Sequence, residues 1–581
     1  MSELIGASAD PSLPPGSEGP GAELIGAHAR APGGGGPGPG GGPAVNLRRA
    51  TVGMAVGTGL SRLTGVARVL ALAYALGFTR LADAYNLANT TPNMLYDVVL
   101  GGVLSATFIP VFVDRVATRT EREAWRAISA VVTLSVVVLA GGSVLFFFAA
   151  PLIISAFTAL DHTHGGLAAA ALGHERQVAT TLLRWFVPQV FFYGVIALAT
   201  ALLNTRRKFG APAWVPIANN LVCVAVLVWF HHIASVPSLL GAQLHPHQLV
   251  LLGLGTTLGV VVQALLLVPS LGRARLRRLT WRWEPGHEAV RTVLRLGGWT
   301  FGFVVANQVA LFVVLALAVG AGGRAPVSSY TYAYTFLQMP YAVVAVSVMS
   351  AVTPDLSEKW ATGDLVGFRR RMAGGLRAVL AIIVPAAMGM LLLAKPAVAL
   401  LLGHGAGTAA QTADTGAALA MFALGLPGFC TFLYVVRVLQ SMQRTRVAFW
   451  LYLVENAVNV ALAVALVHPL GVRGLALSLS VAYTVGALCG LVVLRRWLGT
   501  LGPPRAFRPL RRVLAATAVM GGVVLVVSNL SGSESGTGLF VRVVGSAVVG
   551  AGVYFATAAL LANRTRRRGH PPGPRARGAA P

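Results

Sequence analysis

Between residues 51 and 562 the chain alternates long apolar runs with short connections, and its basic residues concentrate in every second connection. A ~30 Å hydrocarbon core needs about 17–25 apolar residues per helical span. Fourteen runs reach that length. They lie near 51–77, 84–113, 127–149, 178–204, 212–232, 248–270, 297–320, 327–353, 373–394, 412–440, 447–467, 473–494, 511–529 and 539–562. Connections 114–126, 205–211, 271–295, 354–372, 441–446 and 495–512 are basic, whereas 150–177 holds only Arg176 and neither 233–247 nor 530–538 holds Lys or Arg. Basic loops mark the cytoplasmic side. The pattern predicts an all-α polytopic membrane protein of 14 transmembrane helices in a plasma membrane, with both termini cytoplasmic.

Composition agrees with this reading and narrows the function. Of 581 residues, 55% are hydrophobic and only 11% charged, with a mean hydropathy of +0.70, against about 25% charged in soluble proteins. The net charge of +27 lies in short blocks between apolar runs, so it reads as an orientation signal rather than a nucleic-acid surface. Cys223, Cys430 and Cys489 fall inside apolar runs, with no disulfide framework and no metal-ligand spacing. His162, His164, His174, His245 and His247 fall in the outer connections without ligand partners and read as solvated residues. No nucleophile elbow, zinc motif or P-loop occurs, and Asp161 and Glu175 have no paired acid near them in the outer loops. A transporter without enzymatic chemistry, cofactor or metal follows, driven by an ion gradient (Na+ or H+), membrane potential or substrate flux.

Residues 1–45 are Gly/Pro-rich, lack the basic start and apolar run of a signal peptide, and are expected to form a disordered cytoplasmic tail. Residues 564–581 are expected to form a basic disordered tail. Between them lies an internal repeat. LLNTRRKFGAPAWVPIANNLV (202–222) resembles LQSMQRTRVAFWLYLVENAV (439–458), placing Trp214 over Trp450 and Asn220 over Asn456 at an offset of 236. SATFIP (105–110) is echoed by MSAVTP (349–354). The copies lie six spans apart, an even number, so the halves are parallel repeats as in transporters with two rocking lobes. The expected organisation is a six-helix lobe over 46–270, a second over 271–500, and two extra helices over 501–563.

Ionisable and amide side chains inside spans are costly and mark a cavity or a helix contact. Arg62 and Arg68 lie in the first run, at a cost of at least ~2.5–3.5 kcal/mol each at the bilayer centre, since a guanidinium does not deprotonate. Six residues apart, they face different sides of a straight helix. The second span carries Asp83, Asn86, Asn89, Asn93 and Asp97; the tenth carries Arg437 and Gln440. Arg184 in the fourth span can snorkel to the outer surface. Glu455 and Asn459, at i and i+4 on the eleventh span, share a face, and with Asn307 they form a candidate sodium or proton site; a hydrogen-bonded lobe core is the other reading. Pro92, Pro110, Pro188, Pro340 and Pro427 interrupt spans two, four, eight and ten, at places where alternating access uses bent helices.

SRLTGVAR (61–68) and ADAYNLANTTPNMLYDVVLGGVLSATFIPVF (82–112) resemble the start of the MurJ/MviN lipid II flippase family, within the multidrug/oligosaccharidyl-lipid/polysaccharide exporter superfamily. The likeness continues through ALLNTRRKFGAPAWVP (201–216), MPYAVVAVSVMSAVTPDLS (339–357) and GVRGLALSLSVAY (471–483), over roughly 46–500. The resemblance implies translocation of an undecaprenyl-diphosphate-linked peptidoglycan precursor, lipid II, from the inner to the outer leaflet by alternating access, for cell-wall biogenesis and cell shape. It implies a cationic cavity with Arg62 and Arg68 on the diphosphate, Asp83 at an outer gate, and spans thirteen and fourteen forming a groove for the lipid tail. The substrate-binding set is then Arg62, Arg68, Asp83, Asn86, Asn93 and Arg437, the partners being the lipid-linked glycopeptide and cell-wall synthesis proteins. The chain departs from the family at Tyr96 and Asp97, where members carry a basic pair, at Gly101, and at Thr335 and Gln338. Two other readings stay open: an exporter of drugs or another polyprenyl-linked oligosaccharide with the same fold, and a transport-inactive membrane scaffold for cell-wall enzymes.

Overall fold

The structure, a computed structural model, describes residues 43–98, 120–160, 166–206, 208, 210–234, 237–273, 279–323, 325–407, 412–502, 508–532 and 535–568. Expectations for most of both tails, the SATFIP segment with Pro110, Gly101, Asp161, His162 and His164 lie outside the described residues. The chain divides into two units, Met1–Val52, of which only the first turns of one helix are described, and Gly53–Pro581, which carries everything below.

Fourteen long helical segments follow one another, with no strand among the described residues. They are α1 (Pro43–Leu76), α2 (Arg80–Tyr96), α3 (Glu121–Phe157), α4 (Gly166–Thr205), α5 (Gly210–Ile233), α6 (Pro246–Arg273, preceded by a short helix at Leu239–Leu244) and α7 (Glu288–Val319). The rest are α8 (Pro326–Ala361), α9 (Leu365–Leu402), α10 (Ala413–Ser441), α11 (Thr445–Leu470), α12 (Val472–Leu498), α13 (Arg508–Ser531) and α14 (Gly536–Phe540, continuing through Ser546–Arg568). Twelve of these are long and apolar enough to cross a membrane. The other two are α2, whose described part stops within the expected second span, and α7, whose apolar part Val304–Val319 is shorter. α1 begins at Pro43, within the stretch expected as the N-terminal tail, and α14 runs to Arg568, within the stretch expected as the C-terminal one.

Buried backbone in a bilayer must bond within its own helix, so helix ends are where the sequence spends its caps. Thr79 caps α2 and Asp364 caps α9, accepting from Gly367 N at 2.8 Å. Thr120 and Glu123 form a reciprocal capping box at α3.

The packing repeats itself. α4 packs against α2, α3 and α6, and α10 packs against α8, α9 and α12; α5 lies on α6 as α11 lies on α12. The tightest seam joins α10 to α12, where Gly425 and Gly428 meet Ser480 and Thr484 and leave no room for a Cβ, the small-residue contact typical of membrane helices. α13 packs on α9 and α14 on α13, outside the repeated set. α8 is broken by a π turn at Tyr341–Ala345 directly after Pro340. In α2 the winding also turns to π at 97–98, five residues after Pro92. Both prolines thus sit in matching helices of the two halves.

Candidate functional site

The repeated asparagines place the first helix of each half. Asn220 on α5 donates to Ser61 O (3.2 Å) and Thr64 Oγ1 (3.1 Å) of α1, while Trp214 Nε1 donates to Gly53 O at 3.1 Å. Asn456 on α11 donates to Asn307 Oδ1 of α7 at 2.8 Å, and Phe449, beside Trp450, lies against Gly302 of α7. Equivalent residues therefore hold equivalent helices, and the stretch of α1 between its two arginines is pinned to α5.

Arg62 and Arg68 then diverge, as their spacing requires. Arg62 is exposed and makes no hydrogen bond among the described residues. It has no ion pair among the described residues either. Arg437 is exposed too, and its one described side-chain bond goes to Gln440 Oε1 of its own helix at 3.3 Å. Each half thus carries one exposed guanidinium with no carboxylate partner among the described residues. Arg68 is instead half-buried. On α2 the hydroxyl of Tyr85 lies 2.9 Å from Thr256 Oγ1 of α6.

Asp83 and Asn86 meet the other half directly. α8 opens with Pro326 and has no side-chain cap of its own, so its first amides need acceptors. Asp83 supplies them: Oδ1 accepts from Ser328 N at 2.7 Å and Oδ2 from Val327 N at 3.3 Å. Asn86 Nδ2 donates to Ser328 Oγ at 2.9 Å. Phe78 lies edge-on to Tyr332 at 5.7 Å, and Ala406 N donates to Tyr74 O at 2.9 Å. These contacts close the two halves together at the end where α2 and α8 begin. Asn93 turns back to Asn89 O at 2.8 Å, and further along α2 Asp97 Oδ2 accepts from Gln308 Nε2 of α7 at 3.2 Å.

The three residues of the candidate ion site are placed unevenly. Asn307 is engaged by Asn456, and Asn459 Oδ1 accepts from Ser478 Oγ at 3.0 Å. Glu455 is buried, wedged against Phe432 and Gly486, and neither carboxylate oxygen has a hydrogen-bond partner among the described residues. Its surroundings are aromatic, with Phe432 packed edge-on to both Tyr452 (5.0 Å) and Tyr483 (5.5 Å). Among the described residues no three His, Cys, Asp or Glu side chains gather into a metal site.

Reading the sequence for charges and amides passed over Tyr85, Tyr341 and Ser328. Tyrosines inside apolar spans, next to arginines or prolines, were the available signal for the first two; nothing local marks Ser328.

A sequence profile described as "Lipid II flippase MurJ" matches residues 72–545. The chain is 28% identical over 481 residues to a "Probable lipid II flippase MurJ" of Vibrio cholerae, covering 80% of this chain and 86% of the relative. It is 26% identical over 508 residues to "Lipid II flippase MurJ" of Burkholderia cenocepacia, covering 83% and 90%. Its fold is similar to a solved structure of lipid II flippase MurJ in an inward closed conformation, with a TM-score of 0.72 and 21% identity over 88% of this chain and 99% of the other. A multidrug MATE transporter in an inward-facing conformation shares the fold less closely, with a TM-score of 0.63 and 16% identity over 78% and 98%. With its helices, its repeat and more than half its length accounted for in this way, the chain belongs to the lipid II flippase MurJ family.

Proposed function

We propose that this protein is a flippase that moves lipid II, an undecaprenyl-diphosphate-linked peptidoglycan precursor, from the inner to the outer leaflet of a bacterial cell membrane. It is a transporter and not an enzyme. The exposed and unpaired guanidiniums of Arg62 and Arg437 carry this reading. Two exposed guanidiniums without carboxylate partners, one from each half, suit a diphosphate that both halves grip, since charge-assisted bonds to phosphate are among the strongest available. Paired cations disfavour the drug cations that a multidrug exporter carries.

The alternating access follows from the same contacts. With both termini cytoplasmic, α2 and α8 begin on the outer side, so the Asp83 cap on α8 is a closed outer gate and the arginines are reached from inside. Opening outward requires Asp83 to leave the amides of Val327 and Ser328, and charge-assisted bonds of this kind are worth ~1.5–3 kcal/mol each. The polyprenyl tail is matched by an apolar groove of about 350 Å³ lined by Pro385, Met390, Met520, Val524, Tyr554 and Phe555 of α9, α13 and α14. Glu455 is the residue through which a proton or sodium ion would couple to the cycle, because a buried carboxylate with no partner is stable only when neutralised. Docking of cell-wall synthesis proteins fits the cytoplasmic tails.

Depletion of the protein, followed by leaflet-resolved labelling of lipid II, tests the assignment. Inner-leaflet accumulation that the intact chain reverses, and an Arg62→Ala/Arg437→Ala chain does not, is the expected result. Unchanged leaflet distribution on depletion overturns it.

A further inference from the structure

Away from the interface between the halves, a cavity of about 630 Å³ opens between α3, α4 and the start of α6. α4 presents Arg176, Thr180 and Arg184 to it, at i, i+4 and i+8, so all three lie along one helix face. Arg176 is already oriented: its Nε donates to Thr158 Oγ1 at 2.6 Å and its Nη2 to Thr158 O at 3.2 Å. Arg184 is exposed, lies 5.5 Å from the ring centroid of Phe147 on α3, and has no hydrogen bond or ion pair among the described residues. No carboxylate lines the cavity; the nearby acid of α4, Glu175, is taken by Arg80 at 3.0 Å. Beside the cavity α3 exposes Leu145, Phe148 and Leu152, all more than two-thirds accessible.

A cationic ladder bordered by exposed apolar side chains is a place where a phosphate head and its chains bind together. We propose that this cavity is a binding site for an anionic glycerophospholipid, its phosphate held between Arg176 and Arg184 with Thr180 between them, its acyl chains lying on Leu145, Phe148 and Leu152. The two arginine Cα atoms lie about 12 Å apart along the helix, a gap that two long side chains close on one phosphate. Stacking on Phe147 orients the Arg184 guanidinium, and a cation without a carboxylate beside apolar surface needs an anion or water. The lipid would brace α3 against α4 on the outer flank of the first half, independently of what the protein transports.

Native mass spectrometry of the full-length protein released from bilayers of phosphatidylglycerol and phosphatidylcholine tests this. The intact protein retains phosphatidylglycerol in preference to phosphatidylcholine. An Arg176→Gln/Arg184→Gln protein of unchanged elution profile loses that retention by about tenfold, the size of one charge-assisted contact, while Arg184→Lys keeps most of it. Equal retention of the two lipids, or full retention of phosphatidylglycerol by the double glutamine variant, overturns the proposal. Displacement of the lipid by millimolar inorganic phosphate also overturns it, because the site then recognises a free anion and not a lipid.

Discussion

Asp83 on α2 caps α8 from 245 residues away, its Oδ1 2.7 Å from the backbone nitrogen of Ser328. A helix that has no capping side chain of its own borrows one from the other half of the molecule. The stability of one helix end and the closure of the two halves are therefore a single contact, and separating the halves uncaps α8.

Asp83→Asn should loosen this end without unfolding the protein, since the amide oxygen still accepts but carries no charge. A loss of ~1–3 kcal/mol of closure would raise the ratio of open to closed at the α2/α8 end by about 5- to 150-fold. Labelling of a cysteine placed at Ser328 by an impermeant thiol reagent measures it, and should speed up when Asp83→Asn is added. An unchanged rate means that the contact does not set closure.

Arg62 and Arg68 should respond differently to truncation. Arg62 has no hydrogen-bond partner to lose, so Arg62→Ala is expected to leave the melting temperature unchanged and to weaken retention of a diphosphate lipid. Arg68→Ala removes a half-buried side chain and should lower the melting temperature as well, through the lost packing of its stem. Thermal unfolding of both variants in the same detergent, beside a lipid-binding assay, separates the two roles.

Glu455→Gln keeps the shape of a buried side chain and removes its need to be neutralised. Its melting temperature should be equal to or above that of the parent protein at neutral pH, because an unpartnered buried carboxylate costs several kcal/mol when charged. Transport in vesicles should lose its dependence on the coupling ion. A glutamine variant whose transport still follows the imposed proton or sodium gradient places coupling elsewhere.

The segment before α7 offers a pH test outside the membrane. Thr280 N and Arg282 N donate to Ser129 Oγ (3.2 Å) and Thr133 Oγ1 (3.0 Å) of α3, and Glu284 holds Arg126 through a two-pronged ion pair. That hydrogen bond from Arg126 keeps the Glu284 carboxyl below its ordinary value. A depressed folded-state pKa gives stability that is present above the unfolded value, about 4.3, and that is lost as the pH falls through the folded value. Amide exchange across 279–284 should therefore quicken as the pH drops below about 4, after correction for the intrinsic rate. In Glu284→Gln it should be fast throughout.

Much of the fold was legible because membrane helices announce themselves by length and by the charge of their connections. The repeat was legible through Trp214 and Asn220 against Trp450 and Asn456, since residues that dock the first helix of each half carry the same chemistry twice. The divergence of Arg62 from Arg68 followed from about 100° per residue alone. What could not be read were contacts across long separations. Nothing near Asp83 says that its acceptors will meet the start of α8, and nothing near Glu455 says that Asn307 and Asn459 will spend their amides on Asn456 and Ser478. The bond between Asp97 and Gln308 escaped for the same reason, because both residues read as isolated polar positions on separate spans.

The π winding that follows Pro92 in α2 and Pro340 in α8 carries one residue more per turn than the helix on either side. Such a surplus can migrate: passing it one step along the chain exchanges a bond to the fifth preceding carbonyl for one to the fourth. Each step turns only the residue it passes, by about 100°, and leaves the helix on either side in register, with no net loss of hydrogen bonds. Tyr341, standing where that surplus sits in α8, is thus on a ratchet tooth, and the slippage of a single residue re-aims its side chain while the rest of α8 stays in place.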